Sequence, residues 1–117
     1  MNVRRSDWAE DVWVVEARGR LDAGLAPELE AQLNALLAAG HAHIIVDFGR
    51  VSYISSSGLK VLLVALRAAR KQGGDVRLCA MNDRVREVFV LSGFHKIFAI
   101  HASEREAAAA FLGGEVG

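Results

Sequence analysis

Short runs of β-branched and aromatic residues alternate along this chain with longer segments whose leucines and valines recur every three to four positions. That alternation predicts strands separated by helices. Residues 3–8 and 12–17 form two apolar runs separated only by Ala9, Glu10 and Asp11, which predicts an antiparallel hairpin with Trp8 and Trp13 flanking its turn. In the second run Val12, Val14 and Glu16 share one face and Trp13, Val15 and Ala17 the other. The pattern breaks between Gly19 and Gly24. A helix follows, with Leu25, Leu29, Leu33, Leu36 and Leu37 on one stripe, Pro27 in its first turn and Gly40 as its stop. Residues 43–48 read as a buried strand, residues 49–55 as a connection, and residues 57–72 as a second helix with a stripe of Leu59, Leu62, Leu63 and Leu66. A strand at 76–80 and a helix capped by Asn82 or Asp83, carrying Val85, Val88 and Phe89 and closed by Gly93, come next. Residues 94–100 hold a last short strand. Ser103 with Glu106 forms a capping box for a final helix through residues 107–112.

The predicted order is β-β-α-β-α-β-α-β-α. This is an α/β fold of one domain over residues 1–112, with a mixed, mostly parallel sheet of about five strands, an antiparallel N-terminal edge and about four helices. Residues 113–117 read as a flexible tail.

Charge narrows the possible partners. Among 117 residues, 14 basic and 14 acidic side chains cancel, and no basic run stands out. Nucleic acid and an anionic membrane surface therefore have no electrostatic claim on the chain, and a protein partner is expected. The N-terminal arginines lack an apolar segment of the signal-peptide kind behind them, and the longest strongly apolar stretch, residues 61–66, is far too short to span a bilayer. A lone cysteine, Cys79, falls in a predicted buried strand. All of this suits a reducing cytoplasm. His41 and His43 have no evident third ligand, so no metal site is expected.

Ser55, Ser56 and Ser57 precede the apolar stripe of the second helix, and at least one of them is expected to cap its free N–H groups. The preceding strand brings them to the carboxyl edge of the sheet, where α/β folds place their sites. Gly58, just inside the helix, costs about 1 kcal/mol relative to alanine, so close approach of another group is expected there.

At this point the residues carry a resemblance. Gly19-Arg20-Leu21-Asp22-Ala23, Ala26-Pro27-Glu28-Leu29, Val46-Asp47-Phe48, Val51-Ser52-Tyr53-Ile54, Ser56-Ser57-Gly58-Leu59, Leu62-Leu63 and Leu91-Ser92-Gly93-Phe94 follow one another as in the STAS domains of bacterial anti-sigma factor antagonists. The chain resembles that family from Val3 to about Leu112. The resemblance implies partner switching: an unphosphorylated domain binds an anti-sigma factor that is also a GHKL-type serine kinase, ATP-dependent phosphorylation releases it, and a PP2C-type phosphatase resets it. By position the acceptor is Ser56, with Ser55 (standing where the family has Asp) and Ser57 as secondary candidates. Partner contacts are expected at Asp22, Ser55, Ser57, Gly58, Leu59, Val61 and Leu62, with Val64 as further apolar surface. The resemblance implies neither an enzyme nor a cofactor.

Phosphate brings about −1.5 to −2 charges. A helix N-terminus favours that charge by ~0.3–1 kcal/mol, whereas burying it in an interface costs several kcal/mol. If Asp22 and Asp47 share the edge, their repulsion adds to the effect. Competing readings are an adaptor subunit of a lipid-transport ABC complex that is never phosphorylated, a phosphoacceptor-aspartate receiver domain, and a serine hydrolase. The receiver reading fails because Glu10 and Asp11 lead into a strand. The hydrolase reading fails for want of a Gly-x-Ser-x-Gly turn.

Overall fold

Val14 and Val15 are neighbours in sequence and both fully buried. A strand sends them to opposite faces, so the sheet that holds them is covered on both sides. The computed structural model describes residues 1–113. Its elements are β1 (Asn2–Arg5), β2 (Trp13–Leu21), α1 (Ala26–Ala38), β3 (His43–Ile54), α2 (Ser56–Lys71), β4 (Asp75–Cys79), α3 (Asp83–Leu91), a 3-10 turn (Phe94–Lys96), β5 (Ile100–His101) and α4 (Glu104–Phe111). From residue 114 onward the expected tail lies outside the described residues.

The sheet order is β1-β2-β3-β4-β5, with β1 antiparallel to β2 and the other pairs parallel. Each crossover therefore steps to the next strand in the same direction, and the right-handed rule puts the crossover helices on one face. Val15, Ala17, Ile44, Val46 and Val76 pack there with Leu29, Leu33, Leu62, Leu66 and Phe89 from α1, α2 and α3. The opposite face is covered by α4, where Ala107 and Ala108 lie in one cluster with Val14, Ile45 and Cys79. Burial pushes the Cys79 thiol up to about 12, helped by the nearby Asp47 and Glu104 charges, so this cysteine is a neutral core side chain.

Three expected strand ends move. The strand expected to end at residue 17 runs to Leu21, and the one expected to end at Phe48 runs to Ile54. The polar residues there are real strand positions, because each long strand supplies the other with a partner. Arg18, Gly19, Arg20 and Leu21 pair with Arg50, Val51, Tyr53 and Ile54, across register shifts between Glu16 and Arg18 and between Gly19 and Arg20. Conversely β1 stops at Arg5, short of the expected residue 8. Residues 6–12 form the turn, held by Ser6 N donating to Val12 O at 2.7 Å.

The N-terminal strand is tied to α4 by charge. Arg4 reaches Glu104 at 2.5 Å and Glu16 at 3.2 Å, and the Ser6 hydroxyl donates to Glu104 at 2.9 Å. Burial pushes the Glu104 carboxyl up, but the bonds from Arg4 and Ser6 outweigh it and hold it below the usual range.

Candidate functional site at the start of α2

Because β2 and β3 run on together, their last residues form a paired tongue beyond β4, which stops at Cys79 opposite Asp47. Helix α2 begins at the tip of that tongue. Ser55 is held there twice, its N–H donating to Leu21 O at 3.0 Å and its hydroxyl to the same oxygen at 3.2 Å. It is the N-cap residue, yet its side chain accepts no bond from the helix. The expected serine cap is therefore absent: the hydroxyl that would have capped α2 is spent on joining β2 to the helix start. Ser55 and Ser57 are half-buried, and Ser56 is the exposed serine of the three.

The glycine is explained by the same junction. A Cβ on Gly58 would lie 2.8 Å from both Leu21 O and Ile54 Cγ1, so the helix presses on the two strand ends at a distance only glycine allows. Gly58 is buried, as are Leu59 at 7% exposure and Leu62 at 0%. The expectation that these three form a partner surface is corrected: they face the core, since the buried stripe of α2 runs through Gly58, Leu59, Leu62, Ala65, Leu66 and Ala69. Val61 is half-buried against that core, while Val64 is 51% exposed.

Asp22 does lie on this edge. It follows Leu21, the residue bonded to Ser55, and turns the chain into α1: its carbonyl accepts from Leu25 N and Ala26 N, and its carboxylate accepts from Gly24 N at 3.0 Å. Asp47 does not. It sits seven positions before Ile54, about 23 Å along an extended strand, and its carboxylate accepts from Gly49 N at 2.8 Å. With Glu16, Gly49 and Arg50 it lines a cleft of about 440 Å³ remote from the serines. Among the described residues no group of His, Cys, Asp and Glu could hold a metal ion.

The strand boundaries hid one feature. Arg20 and Tyr53 are cross-strand partners at the end of the tongue, the guanidinium lying 4.3 Å from the ring centre, with Asp22 3.9 Å from the Arg20 Nε. Beside Tyr53 a groove of about 210 Å³ opens between β3 and α3, lined by Ser52, Tyr53, Ile54, Arg84, Val85 and Val88. The register shift between Gly19 and Arg20 skips Ser52 and breaks the period-two alternation of β3, with Val51 buried and Tyr53 exposed, so spacing in the sequence did not reveal this pair. The exposed edge thus comprises Ser56, Asp22, Arg20 and Tyr53 around a helix N-terminus. It offers a shallow, charged surface and no deep cavity, as a sheet without a reversal of strand order is expected to.

Comparison with known proteins matches this architecture. A family model, the STAS domain, matches residues 6–107. BtrV of Bordetella bronchiseptica, named for an anti-sigma factor antagonist role, is 42% identical over 94 residues, covering 80% of this chain and 81% of that one. The crystal structure of an anti-sigma factor antagonist from Mycobacterium paratuberculosis superposes with a TM-score of 0.83 at 27% identity, covering 94% of this chain and 91% of that one. The anti-sigma factor antagonist SpoIIAA in its unphosphorylated form gives 0.80 at 26%, covering 96% of each chain. The phosphorylated form of SpoIIAA, from Bacillus, gives 0.69 at 24%, covering 93% of this chain and 98% of that one. With the match running from the turn after β1 into α4, and so taking in the tongue and its serines, this chain belongs to the STAS domain family.

Proposed function

We propose that this chain is a non-enzymatic anti-sigma factor antagonist whose contact with its partner is broken by phosphorylation of Ser56. One observation carries the choice of residue: of the three serines at the start of α2, Ser56 alone is exposed, while the Ser55 hydroxyl is engaged with Leu21 O. Relatives named as antagonists, and SpoIIAA solved with and without phosphate, support the role. The partner is an anti-sigma factor that acts as a GHKL-type serine kinase in the cytoplasm, and a PP2C-type phosphatase removes the phosphate. Asp22, Ser55, Ser57 and Val61 border the contact, with Gly58, Leu59 and Leu62 supporting it from behind.

The energetics favour a switch that spares the fold. A phosphate at the first position of α2 meets the positive end of the helix dipole, worth ~0.3–1 kcal/mol in its favour. The same dianion under a tight interface costs several kcal/mol, and a hundredfold loss of affinity needs only about 2.7 kcal/mol. Incubation with a GHKL-type serine kinase from the same organism, ATP and magnesium, followed by mass spectrometry of the peptide containing the serines, tests the assignment. One phosphate on Ser56, lost in Ser56→Ala, is expected. An unmodified peptide would overturn the reading and leave the adaptor role standing.

A further inference from the structure

The exposed stripe of α2 is made of Ser56, Lys60, Val64, Arg67 and Lys71. These positions are separated by four, four, three and four residues, so they fall on one face of the helix, in a row about 22 Å long. No acidic residue occurs anywhere in α2, whereas the neighbouring α1 carries Glu28 and Glu30 and no basic residue. In a chain of zero net charge, α2 thus carries four of the fourteen basic side chains with no acidic residue among them, on the helix that begins with the proposed phosphoacceptor. Arg70, just off the stripe, pairs with Asp75 at 3.5 Å and donates to Ile97 O at 3.2 Å. Among the described residues no carboxylate lies within 4 Å of Lys60, Arg67 or Lys71.

We infer that this row is the docking surface for an acidic face of the anti-sigma partner, with Val64 as the apolar anchor between the cations. The inference rests on the proposed function and adds the chemistry of the partner to it. Charge complementarity singles out the occupant: spaced cations around a valine that is 51% exposed suit a protein face of carboxylates around an apolar pocket. The row also explains why a phosphate on Ser56 acts beyond its own footprint. Ser56 and Lys60 are four residues apart, hence neighbours on the helix surface. A phosphate there draws on Lys60 and presents like charge to the incoming acidic face.

Binding of a purified GHKL-type anti-sigma kinase from the same organism, measured by calorimetry for the wild type, Lys60→Glu, Arg67→Glu and the control Glu30→Lys on α1, tests this. Wild-type affinity is expected to fall steeply between about 50 mM and about 300 mM salt. Each α2 variant is expected to bind at least tenfold more weakly with a shallower salt dependence, the control as the wild type, and all with unchanged melting temperature. Should a variant lose stability, Lys60→Gln and Arg67→Gln are measured instead, with a smaller loss expected. Equal affinities across the set would overturn the docking surface while leaving the antagonist role intact. Failure of the wild type itself to bind would overturn both. A fluorescein-labelled DNA duplex bound as tightly as the kinase would assign the row to nucleic acid and overturn the inference.

Discussion

A methyl group added at Gly58 would meet Leu21 O and Ile54 Cγ1 at 2.8 Å, one of them backbone and the other held in the core. Alanine is the better helix former by about 1 kcal/mol, so the local preference and the packing pull in opposite directions. Packing wins, because overfilling a tight core site costs about 1–3 kcal/mol and Leu21 O is also the oxygen that receives both Ser55 bonds. Gly58→Ala is therefore expected to lower the denaturant midpoint despite its helix propensity, and an unchanged or raised midpoint would contradict the close contact. At Ser55 the hydroxyl contributes a single neutral bond, so Ser55→Ala should cost about 0.5–1.5 kcal/mol. The same variant should still accept one phosphate at Ser56, as read by mass spectrometry. Those two residues assign different tasks to adjacent positions: Ser55 and Gly58 build the edge, and Ser56 is what the edge displays.

At the scale of elements, the β2–β3 tongue needs α3 to close its open side. Asn82 does this with one side chain, its Oδ1 accepting from Val85 N at 2.8 Å to cap α3 and its Nδ2 donating to Val51 O at 3.1 Å. Asn82→Ala should cost about 1–3 kcal/mol, since it removes a cap and frees a strand carbonyl together. Hydrogen exchange should quicken at the start of α3 and in residues 51–54 while that of α1 stays as it was. Phe89 anchors the far end of α3, within 5.9 Å of Phe48, 6.5 Å of Phe94 and 6.2 Å of Phe98 by ring centres. The sequence Leu91-Ser92-Gly93-Phe94 serves this cluster: Ser92 bonds back to Phe89 O, Gly93 takes φ 79°, and the chain turns to bring Phe94 over Phe98. These four residues thus act as a packing device.

For the molecule as a whole, acid should lower the stability of the chain over two pH ranges. Burial, with the Arg77 charge beside it, holds the His101 pKa below the ordinary 6.5. The unfolded chain therefore binds the proton more readily, so stability is full above pH 6.5 and falls as pH drops through the lower folded value. Hydrogen bonds from Asn2 and Arg4 likewise depress Glu16, and those from Arg4 and Ser6 depress Glu104 against the effect of burial. Their contribution is present above pH 4.5 and is lost as pH falls further. His101→Gln should flatten the pH dependence in the first range and leave the second, with melting temperature against pH as the measurement. Phosphorylation belongs to the same scale but the opposite class. The acidic substitution Ser56→Glu should shift the melting temperature by no more than a degree or two, consistent with a surface change of under about 0.5 kcal/mol. Kinase affinity should fall at least tenfold in the same variant. Unchanged affinity would count against an electrostatic switch.

The order of strands and helices, the parallel sheet with its antiparallel edge, and the serines at the start of α2 were legible in the residues, because hydrophobic period and turn chemistry are local properties. So was the demand at Gly58 for something close by. Three things were not legible. Residues 18–21 and 49–54 read as connections because they carry arginine, glycine and serine, and they become strands only because each pairs with the other some 30 residues away. Leu59 and Leu62 looked available to a partner, and Asp47 looked close to the serines, until the seating of α2 and the overhang of β3 placed them elsewhere. The cap expected of Ser55 was redirected by Leu21 O, an acceptor that local sequence does not contain. Period and capping are decided within a turn or two of chain, whereas pairing, burial and the choice among competing hydrogen bonds depend on groups that only the folded chain brings together.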